Sequence, residues 1–304
     1  MGVNPLNLET RLVLGEFGFH IRGSQGRLGK QISQWLQFYY PESRVRSITA
    51  YGGSFEYIEN FNKVDKKVLF VTSGKSTAKS AASECDYELF EFTKMLEEMR
   101  NDLLSEGNNV IVFISSGGTV YGQGTIAKFE NSNLHPDSPY AYLKLAQEQL
   151  LKDFAARMGI KLLIFRIANA YSAEPGIQKG IVDSLLSIKP GMPLFEISVS
   201  PDSLKQYGTF QDYSYNILEI LSDFIISGQD FRLQNLFSSH VYSVRDIIKI
   251  VSSHMQVPIS MICLPTNQTK ELKNDTVILD SLFNGRVGNL KWEPLQTVLT
   301  RSRL

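Results

Sequence analysis

The chain reads Ile114-Ser-Ser-Gly-Gly-Thr-Val-Tyr-Gly122 directly after the apolar run Val110–Phe113, and it reads Ser138-Pro-Tyr-Ala-Tyr-Leu-Lys144 where a helical segment begins. The first part predicts a buried strand that ends in a turn rich in hydroxyl groups, and the second predicts the start of a helix. Because four residues separate Tyr140 from Lys144, the helix brings both side chains to one face, one turn apart.

The phenol and the amine at this spacing predict proton-transfer chemistry. A phenol titrates near pH ~10, which is too high for an effective base at neutral pH. A neighbouring ammonium favours the phenolate and lowers that pKa. We therefore predict that Tyr140 takes a proton from a substrate oxygen and that Lys144 lowers the pKa of Tyr140. A hydroxyl of the preceding turn is expected to hold the same oxygen.

Length and composition indicate an ordinary globular enzyme. The 304 residues suffice for one large domain or two intimately joined domains. Lysine plus arginine equals aspartate plus glutamate, so no net charge indicates nucleic acid or an anionic membrane. Cys85 and Cys263 form no disulfide framework, so we expect a cytoplasmic protein, and the four histidines lack metal-ligand spacing. No apolar run approaches the ~18 residues of a membrane span, and Met1–Glu9 lacks a signal-peptide pattern.

A glycine-rich turn follows the first predicted strand. The strand Phe17–Arg22 is followed by Gly23, Gly26 and Gly29, and then by a helix predicted over Lys30–Tyr40. Strand, glycine turn and helix form a phosphate cradle, because the glycines let the backbone approach a pyrophosphate that rests on the helix N-terminus. The alternative is an ordinary tight turn between a strand and a helix. A P-loop is excluded, because the lysine after the last glycine is followed by glutamine.

Four motifs follow one another along most of the chain: Gly23-Ser-Gln-Gly-Arg-Leu-Gly29, Ser115-Ser-Gly-Gly-Thr-Val-Tyr-Gly122, Tyr140-Ala-Tyr-Leu-Lys144 and Phe165-Arg-Ile-Ala-Asn169-Ala-Tyr171. Together they resemble the extended short-chain dehydrogenase/reductase family of nucleotide-sugar epimerases, dehydratases and reductases, UDP-glucose 4-epimerases included. The resemblance implies an α/β fold, a Rossmann-type doubly wound parallel sheet with a smaller C-terminal α/β substrate-binding lobe.

The resemblance also implies how the chain is divided. Residues 1–170, with residues 205–228 returning to them, are expected to form the dinucleotide-binding Rossmann domain. Residues 171–204 and 229–304 are expected to form the substrate-binding lobe. The segment Tyr51–Lys67 is shorter than the corresponding part of the family.

A helix predicted over Glu84–Ser105 carries an apolar stripe with alternating spacings of three and four residues. The stripe by itself indicates packing against the sheet. The family resemblance implies a second role, in which this helix and the Tyr140 helix of two subunits form a four-helix bundle. A homodimer is therefore expected.

The resemblance assigns roles to the hydroxyl-rich turn and to the helix after it. Tyr140 is expected to take the proton of the sugar C4 hydroxyl, and Lys144 to hold the nicotinamide ribose as well as to tune the tyrosine. The hydroxyl that acts with tyrosine in the family is replaced here by Gly117. Thr119 is the first candidate to replace it and Ser116 the second. The alternative is a weakened or lost hydroxyl contact.

The form of the cofactor, NAD or NADP, stays open in the sequence. An acidic residue about 20 positions beyond the glycines would accept the ribose 2′-hydroxyl of NAD, but Ser47 occupies that region with Arg44 and Arg46 beside it. An arginine there can pair with the 2′-phosphate of NADP; the alternative is that both are solvated strand-edge charges. The residues expected to bind the cofactor are Gly23, Gly26, Gly29, Arg46, Ser73 and Lys144.

Two residues are expected to contact the diphosphate of the substrate. Asn169 stands in the Arg-x-x-Asn motif, and Lys205 replaces the arginine of a family motif in which Gln206 also replaces aspartate. Alternatively, Asn169 caps a turn and Lys205 is a solvated charge. Ser243 is expected to cap a helix, and Trp292 is expected to have a packing role.

These residues favour a nucleotide-sugar epimerase that acts through a 4-keto intermediate. A 4-keto-sugar reductase that uses NADPH is the first alternative, which the missing acidic residue would suit. A dehydratase would need an Asp-Glu pair where Gly117-Gly118 stands. The second alternative is a cofactor-binding protein of this fold without turnover, which the departures at Gly117, Lys205 and Gln206 favour.

Overall fold

The computed structural model describes most of the chain. The described residues are 5–48, 66–103, 109–172, 180–188, 194–197, 199–263, 275–283 and 290–301. The segment Tyr51–Lys67, which the sequence analysis found short, lies outside these residues except for its last two positions.

The described strands are β1 Gly18–Arg22, β2 Val45–Ile48, β3 Lys67–Val71, β4 Val110–Ser116, β5 Gly124–Lys128, β6 Lys161–Ile167, β7 Asn169–Tyr171, β8 Leu194–Ile197, β9 Leu204–Thr209, β10 Phe231–Leu236, β11 Val241–Ser243, β12 Ser260–Cys263 and β13 Val277–Leu279. The described helices are α1 Leu8–Leu14, α2 Arg27–Tyr39, α3 Ala82–Leu103, α4 Gly117–Val120, α5 Pro139–Met158, α6 Ile181–Leu186, α7 Phe210–Ile226, α8 Val244–Met255 and α9 Leu295–Arg301. A 3₁₀ turn, Glu42–Arg44, precedes β2.

The main sheet is a six-stranded parallel sheet with the order β10-β6-β4-β3-β1-β2. Its central strands β3, β4 and β6 are near-continuous apolar runs, as expected for strands that are covered on both faces. Residues of α1, α2 and α7 pack on one face, and residues of α3 and α5 pack on the other. The predicted doubly wound α/β sheet is therefore confirmed.

Local sequence signals explain where the site-bearing helix begins. The Ser138 hydroxyl accepts a hydrogen bond from the backbone N–H of Ala141 at 3.3 Å, and Pro139 occupies the first turn. The helix ends at Gly159, whose φ of +63° is the left-handed conformation common after a helix. Tyr140 and Lys144 thus lie in the first two turns of α5.

A second sheet with the order β11-β9-β13-β5 adjoins the main sheet, and β7 pairs with β9 beside it. The strands β8 and β12 form a separate parallel pair. One strand does not fit the predicted division into two domains. β10 lies in the range assigned to the substrate-binding lobe, but it is hydrogen bonded to β6 in the main sheet.

Two structural expectations from the C-terminal part are met. Ser243 caps α8 in a reciprocal capping box with Asp246. Trp292 packs edge-on against Tyr213 with ring centres 5.0 Å apart, and it covers Gly208, where a Cβ would lie 2.7 Å from the indole. Among the described residues, no helix is long and apolar enough to cross a bilayer, and no cluster of three or more His, Cys, Asp or Glu could hold a metal ion.

Candidate active site

The carboxyl ends of the parallel strands meet at one edge of the main sheet, and the predicted site residues gather there. The glycine turn follows β1, Ser73 and Gly74 follow β3, and the Ser116–Thr119 turn follows β4. In open parallel sheets, ligands bind outside this edge.

The glycine turn packs closely on the end of β3. A Cβ on Gly23, whose φ is +90°, would lie 2.6 Å from the backbone nitrogen of Ser73. A Cβ on Gly29 would lie 2.3 Å from the Gly23 carbonyl oxygen. Gly26 is the residue directly before α2, so the free N–H groups of that helix begin at the turn. Only glycine allows this approach, and the geometry fits a pyrophosphate cradle.

The residues beside the turn also fit a dinucleotide. Ser73 is buried and its hydroxyl has no hydrogen-bond partner in the described structure, although it is next to Gly23. A buried hydroxyl without a partner costs free energy, which a bound polar group would offset. Gly74 follows, and a Cβ there would lie 3.8 Å from Lys144 Nζ. Only Ser73 and Gly74 therefore separate the glycine turn from Lys144.

Three residues near β2 were considered for binding the adenosine part of the cofactor: Arg44, Arg46 and Ser47. Arg44 precedes β2, at the sheet edge opposite the glycine turn, and its guanidinium donates to the Gly15 carbonyl. This contact accounts for Arg44 without a 2′-phosphate. Arg46 lies within β2, but its side chain is outside the described part of the structure. The Ser47 hydroxyl lies 3.3 Å from that of Ser33 on α2.

Tyr140 and Lys144 share one face of α5, as the spacing predicts. Lys144 is buried, with 5% of its surface exposed, and its Nζ lies 5.7 Å from the centre of the Tyr140 ring and 5.2 Å from that of Phe113. Tyr142, two residues on, is 61% exposed on another face. The side chains of Tyr140 and Tyr142 therefore have different surroundings.

The charge state of Tyr140 differs from the expectation. Burial, followed by the charges of the Glu88 carboxylate and the Cys85 thiol, raises the pKa of Tyr140 to about 12 against a hydrogen-bonding interaction with the Ser116 hydroxyl that lowers it. Burial also lowers the pKa of Lys144, against the carboxylates of Glu88 and Glu148. The net shift of the Tyr140 pKa is therefore upward, because burial and the Glu88 carboxylate dominate, and a lowering of that pKa by Lys144 stays a prediction.

The hydroxyl groups of Ser116 and Thr119 are hydrogen bonded to each other near Tyr140. Ser116 interacts with the Tyr140 hydroxyl, and Thr119 Oγ1 donates to Ser116 Oγ at 3.0 Å. Ser116 is therefore the hydroxyl next to the phenol, and Thr119 lies one step behind it. The sequence analysis ranked them in the opposite order. Their roles in a reaction stay predictions.

Gly117 has no room for a side chain. A Cβ on Gly117 would lie 2.4 Å from Leu279 Cδ1 and 3.0 Å from the Arg166 carbonyl oxygen. Leu279 is held by Gln206, which donates to its carbonyl at 3.0 Å and accepts from its N–H at 2.8 Å. Two departures from the family pattern, at positions 117 and 206, therefore meet at one leucine.

A buried polar network that sequence reasoning missed lies behind the site. Arg166 donates through Nε and Nη2 to both oxygens of Glu148, at 2.9 and 2.7 Å, and through Nη1 to the Tyr121 hydroxyl at 2.9 Å. Ser115 donates to Glu148 at 2.6 Å. The signal for Glu148 was its position four residues after Lys144, on the same helix face.

A second ion pair that sequence reasoning missed joins the glycine turn to the following lobe. Arg27, the first residue of α2, pairs with Asp183 of α6, which also accepts the N–H of Ser172 at 2.9 Å. Burial raises the pKa of Asp183, while Arg27 and the Ser172 N–H lower it. No spacing in the sequence relates positions 27 and 183.

The two residues expected to bind substrate lie on neighbouring strands, and both have protein partners. Asn169 Nδ2 donates to the Gln206 carbonyl at 3.1 Å, which leaves its second N–H available. Lys205 forms an ion pair with Asp275. Their assignment to a diphosphate stays a prediction.

We expect Gly117→Ser, which restores the hydroxyl of the family position, to destabilise the protein. The new Cβ meets Leu279 and backbone, and overpacking of this kind costs about 1–3 kcal/mol. Urea unfolding measures the loss. Gly118→Ala is the control, because its Cβ would meet nothing nearer than Asn169 Oδ1 at 4.0 Å. A Gly117→Ser protein as stable as wild type would contradict the packing described here.

Comparison with known proteins finds similarity over parts of the chain. The family described as "NAD dependent epimerase/dehydratase family" matches residues 63–195. A segment of 83 residues is 35% identical to a putative UDP-glucose 4-epimerase of Methanocaldococcus jannaschii and covers 25% of this chain and 27% of that protein. A segment of 109 residues is 31% identical to a dTDP-4-dehydro-6-deoxyglucose reductase of Escherichia coli, covering 35% of this chain and 34% of that protein. The matches thus span about a third or less of these curated relatives.

The fold is shared over a much larger part of the chain. The solved structure of MoeE5 in complex with UDP-glucose and NAD matches with a TM-score of 0.74 and 15% identity, and the match covers 93% of this chain and 96% of that one. At this identity the likeness establishes the fold alone. The resemblance that rests on the four motifs is thereby confirmed: residues 63–195 match the model of the NAD dependent epimerase/dehydratase family, and the chain shares the fold of MoeE5 over most of its length.

Proposed function

We propose that the protein is an NAD(P)-dependent nucleotide-sugar epimerase that acts at C4 of a nucleoside-diphosphate sugar through a 4-keto intermediate. The observation that carries the proposal is the position of Lys144 near the pyrophosphate cradle: Ser73 packs on Gly23 of the cradle, and a Cβ on the next residue, Gly74, would lie 3.8 Å from Lys144 Nζ. A hydride acceptor held by the cradle would meet a proton-transfer group at the same sheet edge, the requirement for oxidation of an alcohol.

The proposed roles follow from the contacts. The residues that would hold the cofactor are Gly23, Gly26, Gly29, Ser73 and Lys144, and the bound cofactor would supply hydride transfer at C4. Tyr140 takes the proton of the C4 hydroxyl and gives one back to the C4 oxygen. Ser116 holds that oxygen beside the phenol, and Thr119 orients Ser116 through their 3.0 Å hydrogen bond.

The nucleoside-diphosphate sugar is supported by the relatives and by two side chains. UDP-glucose and dTDP-sugars stand in the names of the similar proteins. Asn169 has an amide N–H left for a phosphate oxygen, and Lys205 offers a charge if the diphosphate competes with Asp275. Gly117 and Gly118 lack the acidic pair of a dehydratase, which argues against elimination of water.

A 4-keto-sugar reductase is the second candidate, and a specific observation favours it. Burial and Glu88 raise the pKa of Tyr140, so the phenol is protonated at neutral pH and suits proton donation to a ketone. Ser47 in place of an acidic residue would also allow NADPH. Tightly bound NAD with interconversion of UDP-sugars supports the epimerase, whereas oxidation of added NADPH by a 4-keto-sugar supports the reductase. A folded protein with neither activity would leave the non-catalytic alternative.

Tyr140→Phe is expected to lower turnover by about 10²–10⁴-fold, because proton transfer by a positioned side chain contributes that much. Cofactor binding should persist, since the ring remains and only the hydroxyl is lost. Turnover is measured by sugar interconversion and by NADPH oxidation, and bound cofactor by mass spectrometry under native conditions. Tyr142→Phe is the control, because that tyrosine is exposed on another face. Full activity in Tyr140→Phe would refute the mechanism.

Ser116→Ala is expected to reduce kcat more than Thr119→Val. Ser116 is next to the phenol, so its loss removes a hydrogen-bond donor at the reacting oxygen, worth about 10²–10³ in kcat. Thr119 acts through Ser116, so its loss should cost about tenfold or less. Steady-state kinetics of the two variants decide the order. A larger loss in Thr119→Val would make Thr119 the direct partner, as the sequence first suggested.

We also infer a homodimer formed through α3 and α5. Tyr87 and Phe90 on α3 and Tyr142 on α5 are exposed, beside a groove of ≈ 520 Å³ between the two helices. Exposed apolar groups on one face indicate an interaction surface.

Phe90→Glu is expected to halve the mass measured by sedimentation velocity, because a charge on this face opposes burial in an interface. Phe38→Glu is the matched control, since Phe38 is exposed on α2 and away from that face. A wild-type monomer, or a dimer that Phe90→Glu leaves intact, would contradict the inference.

A further inference from the structure

Glu88 is a buried carboxylate in the apolar face of α3. It is 4% exposed, and its neighbours along that face, Cys85, Phe92 and Met95, are buried as well. A charge in such a position is costly unless it is paired and hydrogen bonded. The contacts of Glu88 therefore have to offset the cost of burying its charge.

One oxygen of Glu88 holds the loop that follows β3. Oε2 accepts the backbone N–H groups of Lys75 and Ser76 at 2.8 and 2.7 Å. This loop contains Ser73 and Gly74, the residues between the glycine turn and Lys144. Glu88 thus fixes the part of the backbone that connects the cradle to the proton-transfer pair.

The other oxygen of Glu88 has no hydrogen-bond partner among the described residues. It faces Lys144 across Gly74: the point that a Cβ on Gly74 would occupy lies 3.1 Å from Glu88 Oε1 and 3.8 Å from Lys144 Nζ. Two oppositely charged, buried groups therefore share one gap, which exists because position 74 has no side chain.

We propose that Glu88 is a positioning residue: its buried carboxylate is the counter-charge of Lys144 and a negative charge near the Tyr140 phenol in the step that reduces a C4 ketone. The proposal rests on the proposed function, because it concerns the reduction step of an epimerase or a reductase. It assigns that step a residue from a different helix than the one that carries the Tyr-x-x-x-Lys motif.

The groups that surround the phenol support this assignment. Glu88 and Cys85 face Tyr140 from α3, Ser116 faces it from the end of β4, and Lys144 lies on its own helix. The Glu88 charge disfavours the phenolate and raises the pKa of Tyr140, while it favours the ammonium and raises that of Lys144. Glu148, on α5, also favours the ammonium. Lys144 therefore keeps a carboxylate neighbour when the Glu88 charge is removed.

The proton-transfer step balances as follows. The O–H bond of Tyr140 breaks and its proton bonds to the C4 oxygen, while C4 receives a hydride from the reduced nicotinamide cofactor. The ketone is reduced to an alcohol and the cofactor is oxidised. The phenolate that remains regains its proton from water, assisted by the Glu88 charge that disfavours the phenolate.

Glu88→Gln tests the proposal without requiring activity. The amide carbonyl can still accept hydrogen bonds from the backbone N–H groups of Lys75 and Ser76. The variant therefore removes the charge and keeps these two hydrogen bonds. In protein labelled with ¹³Cζ-tyrosine, the Tyr140 NMR signal, assigned by its absence in Tyr140→Phe, is followed between pH 7 and 11. The signal of Glu88→Gln is expected to begin moving about one pH unit lower than that of wild type. Glu91→Gln is the control, because Glu91 pairs with Lys94 at the surface of the same helix.

A second pair of variants tests whether the charges of Glu88 and Lys144 interact or whether Glu88 has only a structural role. Lys144→Met leaves Glu88 without its counter-charge, whereas the double variant of Lys144→Met with Glu88→Gln removes both charges. Pairing predicts that the double variant unfolds at a higher urea concentration than Lys144→Met alone. Additive losses would overturn the pairing even if Glu88→Gln by itself failed to fold.

The outcomes distinguish this inference from the proposed function. An unchanged Tyr140 titration in folded Glu88→Gln overturns the inference, whatever the activity. A lowered titration in a protein without sugar turnover supports the counter-charge and refutes the proposed function. Where turnover exists, the alkaline limb of the pH profile for ketone reduction should move to lower pH in Glu88→Gln and stay in place in Glu91→Gln.

Discussion

The site depends on one buried ion pair, between Glu148 on α5 and Arg166 on β6. Both carboxylate oxygens accept from the guanidinium, Ser115 donates to the carboxylate, and the Tyr121 hydroxyl accepts from Arg166 Nη1. Hydrogen bonding of this kind makes a buried pair tolerable, and loss of one partner costs about 3–5 kcal/mol. Since Glu148 follows Lys144 by four residues, the contact that anchors α5 to the sheet also sets the rotation of the helix, and with it the direction of Lys144.

The departures from the family pattern make physical sense when they are taken together. Gln206 holds Leu279 through two backbone hydrogen bonds, and Leu279 fills the space above Gly117. A side chain at position 117 and a leucine at position 279 exclude each other, so the missing hydroxyl is the consequence of a packed strand. Ser116 then remains as the hydroxyl next to the phenol.

The backbone of the site could be predicted from the sequence, because local signals determine it. Apolar runs predicted the parallel strands, and the spacing of Tyr140 and Lys144 predicted their common face on α5. The contacts of Glu88 and Leu279 could not be predicted in this way, since their partners lie on other elements and no spacing relates them. Glu88 left one trace in the sequence, a charge within the apolar stripe of α3. Arg44 was considered for cofactor binding because it is close to β2 in the sequence. In the structure it precedes β2, at the sheet edge opposite the glycine turn, and donates to the Gly15 carbonyl.

The pKa values of Tyr140 and Lys144 show most clearly what the spacing in the sequence does not determine. A Tyr-x-x-x-Lys spacing determines that a phenol and an amine share a helix face, but it does not determine the charge that either group carries. Here desolvation and the Glu88 carboxylate raise the pKa of Tyr140, whereas desolvation lowers the pKa of Lys144 against the carboxylates of Glu88 on α3 and Glu148 on α5. The same motif on the same fold can therefore be biased toward accepting or donating a proton by a residue outside the motif. In this chain burial and then the Glu88 carboxylate raise the pKa of Tyr140, which favours the protonated phenol, and Glu88 belongs to α3, outside the motif.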